Sequence, residues 1–161
     1  MNKLILTTIF LCFSLISRSS HFFGGEITWE CNKDPISVDY GKYTFHLTLY
    51  QDCSNGIDFS TISQNLTVHN HPSLFSINVP FSSVTDISAS GIASSFACYN
   101  CDNQPFGQFG AIKQFTYSSE PITITGVPPS NGWHFTWGNC CRASYLANGM
   151  NDDDFTLRAV M

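Results

Sequence analysis

The chain has 161 residues, of which 43% are apolar, 14% aromatic and only 12% charged. That length suits one globular unit, and a charged fraction about half the usual ~25% excludes a coiled coil or a disordered acidic tail. Seven Lys and Arg against twelve Asp and Glu, with a pI near 5.3, argue against nucleic-acid binding.

The first element in chain order is an export signal. Lys3 supplies the positive start, Leu4 to Ile16 form an apolar run, and Ser17 and Ser19 stand where a cleavage site needs small residues. The run is too short to cross a bilayer as a helix, which takes ~20 residues. Residues 1–19 are therefore expected to be removed, leaving 20–161 as a single module. Its expected destination is the cell surface or the extracellular medium, with the periplasm as the alternative. Cleavage removes Lys3, Arg18 and Cys12. The mature chain then carries five basic and twelve acidic side chains, a net charge of −7.

Beyond the signal the chain reads as strand after strand. Ile27, Trp29 and Cys31 alternate with Glu26, Thr28 and Glu30; Tyr43, Phe45, Leu47 and Leu49 alternate with Thr44, His46 and Thr48. Leu66 and Val68 mark a further strand. Later runs are Phe75–Ile77–Val79, Phe115–Tyr117, Ile122–Ile124, Trp133–Phe135–Trp137 and Phe155–Leu157–Ala159. Turn chemistry falls between them at Asn55-Gly56 and at Pro128-Pro129-Ser130-Asn131-Gly132, which should close a hairpin, while 82–110 reads as long loops with short strands. The expected fold is all-β: an Ig-like antiparallel β-sandwich of about seven to nine strands, disulfide-stapled. Its expected core aromatics are Trp29, Phe45, Trp133, Phe135 and Trp137.

Six cysteines remain after cleavage: Cys31, Cys53, Cys98, Cys101, Cys140 and Cys141. In an exported chain an even count reads as up to three disulfides. Cys98-x2-Cys101 also has zinc-ligand spacing, but adjacent Cys140 and Cys141 seldom fill two corners of a tetrahedron. If 24–31 and 42–52 form a hairpin, Cys31 lies at its turn and Cys53 at the far end, ~30 Å away, beyond bonding reach. Cys53 is then expected to pair with Cys140 or Cys141, and Cys31 with the Cys98/Cys101 loop.

Candidates for chemistry are few. His69-x-His71 could set two imidazoles on one strand face, but Pro72 interrupts it, so a solvated loop pair is the expectation. Asp152-Asp153-Asp154 lacks the alternating donors of a calcium loop. Asn65-Leu66-Thr67 matches a glycosylation sequon. The Trp133–Trp137 cluster could form a sugar-stacking platform, although alternating aromatics on a strand more often form core. No catalytic elbow, phosphate-binding loop or metalloprotease helix is present. No catalytic residue, cofactor or metal is therefore expected.

Three segments carry a family resemblance. His21-Phe22-Phe23-Gly24-Gly25-Glu26-Ile27-Thr28-Trp29-Glu30-Cys31 resembles the opening of a domain at the N-terminus of large Bacteroidetes surface proteins, often associated with gliding motility. Tyr43 to Cys53 is similar to that family's Tyr-Arg-Asp-Cys strand end, with Gln51 in place of the Arg. Trp133 to Trp137 followed by Cys140-Cys141-Arg142 is similar to its Trp-x-x-Cys-Cys-Arg segment. The resemblance runs from about residue 21 to 160 and implies an exported, modular surface protein with no catalytic residues to carry over. The chain stops after the expected last strand, so it reads as a stand-alone module or as the N-terminal module of a longer protein. The expected function is thus a non-catalytic cell-surface or adhesion module, gliding-associated, not membrane-spanning, meeting a surface protein or polysaccharide. The rival expectation is an exported carbohydrate-binding module or glycan-active accessory protein, motivated by fourteen Phe, six Tyr and three Trp.

Overall fold

The computed structural model describes residues 22–53, 59, 61–88, 111–139 and 155–161. They form seven strands: β1 (Phe22–Cys31), β2 (Tyr43–Asp52), β3 (Ser63–His69), β4 (Ser76–Asp86), β5 (Ile112–Ser118), β6 (His134–Asn139) and β7 (Phe155–Val160). All pairings are antiparallel, in the order β1-β2-β5-β4-β3-β6-β7. The export signal, Asn55-Gly56, Cys98, Cys101, Cys140, Cys141 and Asp152 to Asp154 lie outside the described residues.

β4 is the strand that turns this row into an enclosure. Ser76 to Pro80 pair with β3, whereas Phe81 to Asp86 pair with β5, and the register shifts between Phe81 and Ser83. Pro80 stands at this handover, where a residue without an N–H interrupts a ladder at least cost. A bulge there bends the strand and sharpens its twist. The sheet consequently folds over on itself. Phe45 on β2 and Phe135 on β6 are separated by three intervening strands in the order, yet their ring centroids are 4.5 Å apart.

The two sheet edges also meet. Phe22 of β1 stacks on Phe155 of β7 with centroids 3.7 Å apart, so the sheet is nearly closed. A bulge between Phe22 and Gly24 makes this contact. Phe22 and Ile27 are an odd number of residues apart, and the extra residue lets both turn inward, where both are buried. Gly25 is needed at the same place. A Cβ there would press on the Thr48 carbonyl and come within 2.9 Å of Leu157 Cδ1.

Alternation then fills the interior. Phe45, Leu47 and Leu49 of β2, Phe115 and Tyr117 of β5, and Leu66, Val68, Ile77 and Val79 of β3 and β4 are buried. Trp133 is buried just ahead of β6, with Phe135 and Trp137 on the strand itself. Each such side chain contributes roughly 1.5–3 kcal/mol of burial. The polar tips are answered inside: Trp137 Nε1 donates to Gln64 Oε1 at 3.0 Å, and the Gln64 amide also hydrogen-bonds the Tyr117 hydroxyl.

Several expectations need correction. Trp29 has inward parity but is 39% exposed, because edge strand β1 carries it beyond the covered interior and its ring leans edge-on against Tyr43. Cys31 is a free thiol whose Sγ faces the carbonyl of Asn32 in its own loop, so it is not tied to Cys98 or Cys101. Cys53, the other described cysteine, is not a free thiol. Phe75 is exposed and precedes β4. Ile122 makes only an isolated bridge to Tyr43. Pro129 to Gly132 do form a turn, with Gly132 N donating to Pro129 O, but it closes no hairpin, since β6 pairs with β3 and β7.

Candidate functional site

The β1–β2 connection, Asn32 to Lys42, is organised inside out. Its short polar side chains fold inward to hold the backbone. Asn32 Oδ1 accepts from Asp34 N at 2.9 Å, Asp34 Oδ1 from Ile36 N at 3.0 Å, and Ser37 Oγ from Asp39 N at 3.1 Å. Asn32 Nδ2 donates to Ser37 Oγ, and Lys42 Nζ reaches Asp39 Oδ1 at 2.7 Å. Backbone bonds close the loop from Ser37 to Asp34, Tyr40 to Ser37, Lys42 to Asp39 and Gly41 to Asn32. Gly41 has φ 77°, a left-handed conformation that glycine adopts without a Cβ penalty.

With Ser37 and Asp39 turned in, the alternate residues turn out. Ile36 and Val38 are each 91% exposed, and Tyr40 is 61% exposed. Trp29, also exposed, lies two residues before this end of β1. Large apolar side chains grouped in solvent on one ordered loop make it a candidate interaction surface. The frame also lowers the ordering cost of binding, and Tyr and Trp are the residues most enriched at binding hot spots. The sequence signal was available as Ile36-x-Val38-x-Tyr40 between Asn, Asp and Gly turn residues.

The outer faces of the sheet differ in charge. On β1 and β2, Glu30 Oε1 lies 3.6 Å from His46 Nε2, and Tyr50 donates to Glu26 Oε1. Burial first, and the Glu26 charge second, push the Tyr50 phenol up. β3, β6 and β7 contain no Asp or Glu. Their outer face bears Thr67, His69, His134, Thr136 and Arg158. His69 Nε2 lies 2.8 Å from Thr136 Oγ1, and His134 Nε2 lies 2.7 Å from the Asn131 carbonyl and 2.9 Å from an Arg158 guanidinium nitrogen. Separately, a half-open groove of about 260 Å³ lies where β4 leaves β5, lined by Leu74, Ile77, Pro80, Glu120 and Ile122 among others.

The His69/His71 pair does not converge. His69 is exposed at the end of β3, while His71 is only 8% exposed and packs on Trp133 with centroids 4.8 Å apart. His71 Nδ1 accepts from Ser73 N and Leu74 N, so Nε2 carries the proton and donates to Thr125 O at 3.2 Å. Both nitrogens serve the fold, which corrects the reading of a solvated loop pair. Among the described residues no three ligating side chains converge on a metal position. Trp133, Phe135 and Trp137 face the core and offer no stacking platform. Asn65 of the sequon is exposed in mid-strand on β3. Comparison with protein-family models, curated proteins and solved structures finds no match.

Proposed function

We propose that the chain is an exported, non-catalytic binding module that acts in cell-surface adhesion and meets its partner through the Asn32–Lys42 loop. The observation that carries this reading is the loop's construction, with polar side chains spent on the frame and Ile36, Val38 and Tyr40 held in solvent. The strand order supports it. Read as A-B-E-D-C-F-G, the row β1-β2-β5-β4-β3-β6-β7 has the sequence of an Ig-like sandwich whose D strand is shared between the sheets. In that arrangement β2 and β6 are the B and F strands. Cys53 follows β2, and Cys140 and Cys141 follow β6, a placement that favours a staple between them. The gliding-associated surface role rests on the resemblance of the three motif segments.

The test is attachment of the purified module to native cell-envelope preparations, followed by biosensor, with soluble products analysed in parallel. Ile36→Asp with Val38→Asp should reduce attachment at least tenfold, with unchanged circular dichroism. Turnover of a polysaccharide or peptide, abolished by one carboxylate or His substitution in a folded protein, would overturn the reading.

A further inference from the structure

The geometry points to a second binding site on the outer face of β3, β6 and β7, for a polysaccharide bearing uronic-acid carboxylates, with Arg158 as its anchor. It lies on a different surface from the loop and does not depend on it. Cross-strand register sets two rows side by side, Thr67–Thr136–Arg158 and His69–His134–Val160. With neighbouring strands ~4.8 Å apart, each row spans roughly 10 Å.

The decisive contact is at His134. The Asn131 carbonyl, 2.7 Å from His134 Nε2, can only accept, and the Arg158 guanidinium, 2.9 Å from the same nitrogen, can only donate. In the tautomer that serves Asn131, Arg158 presents a donor to a donor. One nitrogen cannot satisfy both neighbours. Neither ion pair formed among the described residues involves Arg158. A forked guanidinium on strands without a carboxylate is a place for an anion to bind.

The neighbours and the overall charge narrow the anion. Thr67, Thr136 and His69 offer hydrogen bonds suited to sugar hydroxyls. Arg158 is the one permanent cation on these strands, and the chain as a whole is at −5. A densely sulfated or phosphorylated polymer would meet too little positive field and too much overall repulsion. A polymer of spaced monocarboxylates needs one fork and several neutral hydrogen-bonding partners, and this face provides both.

The experiment is retention of the full chain on immobilised polygalacturonate in chelator, beside neutral dextran and dextran sulfate. Retention is expected on polygalacturonate and not on dextran. Arg158→Gln should weaken it at least tenfold, Arg158→Lys nearly as much because the fork is lost, and Thr136→Val about threefold. Ile36→Asp with Val38→Asp should leave it unchanged, so failure here and failure of the loop reading are separable. No retention on polygalacturonate overturns the proposal, as does equal binding to dextran sulfate or indifference to Arg158→Gln. All these side chains are partly or fully exposed, so unchanged thermal midpoints would tie the losses to the site.

Discussion

Gln64 serves two aromatic side chains, accepting from Trp137 Nε1 at 3.0 Å and hydrogen-bonding Tyr117. Leaving one buried polar group unanswered costs ~1–3 kcal/mol, so Gln64→Leu should lower the unfolding free energy in urea by about 2–4 kcal/mol. Tyr117 offers an independent check through pH. Burial pushes its phenol up to about 12, from the ordinary 10 of an unfolded chain. Below pH 10 both states are protonated and the contribution to stability is complete. Between pH 10 and about 12 the unfolded chain ionises while the folded one does not, so stability falls, by at most ~2.7 kcal/mol from this group. Tyr117→Phe should flatten that alkaline decline; an unchanged slope would show that other groups cause it.

At the scale of the element, the Asn32–Lys42 loop separates frame from contact surface. Ser37→Ala removes the acceptor for Asp39 N and the partner of Asn32 Nδ2 while leaving Ile36, Val38 and Tyr40 in place. Gly41→Ala asks a Cβ to occupy φ 77°, a strain of order 1–3 kcal/mol. Both variants should weaken attachment several-fold, Gly41→Ala more, with dissociation faster than in the parent on the biosensor. If both attach like the parent, the frame is irrelevant to binding. The thiols make a third test. Native alkylation followed by mass spectrometry should label Cys31 and spare Cys53 until reduction. An even cysteine count points to pairing, but a count carries no information on where Sγ points, and here it faces Asn32.

On the scale of the whole molecule, period-2 alternation was enough to read the strands and their antiparallel class. Phe45, Leu47 and Leu49 bury because they share a parity in a long, uninterrupted run. Parity failed at Trp29, where the residue's place on an edge strand decided exposure, and at Phe22, where a bulge reversed the face. Ile122 and Ile124 alternate equally well, yet neither belongs to a named strand, because the neighbouring β2 is already paired by β1 and β5 over most of its length. The candidate surfaces were harder to read. The loop's apolar residues look like misplaced core until Ser37 and Asp39 are seen to point inward. The Arg158–His134–Asn131 contact joins residues that only the β6–β7 register brings together.

Closure of the sheet yields the last prediction. β1 and β7 are the two edges of the row, and no ladder joins them. What holds the seam is side-chain contact, the Phe22–Phe155 stack and Leu157 lying over Gly25. An exposed strand edge left open invites pairing with another chain, so the seam also protects against association. Gly25→Val would place its branch against both the Thr48 carbonyl and Leu157 Cδ1, and overpacking of this kind costs ~1–3 kcal/mol. The loss should be local. β3, β4 and the first part of β6 keep their own ladders and core, so hydrogen exchange in Gly25→Val should speed up in β1 and β7 while Leu66, Ile77 and Phe135 amides keep most of their protection. Sedimentation should show a concentration-dependent dimer or larger species absent from the parent. Uniform acceleration across all seven strands, with no association, would mean that the enclosure unfolds as one unit and that the seam is not a separate weak point.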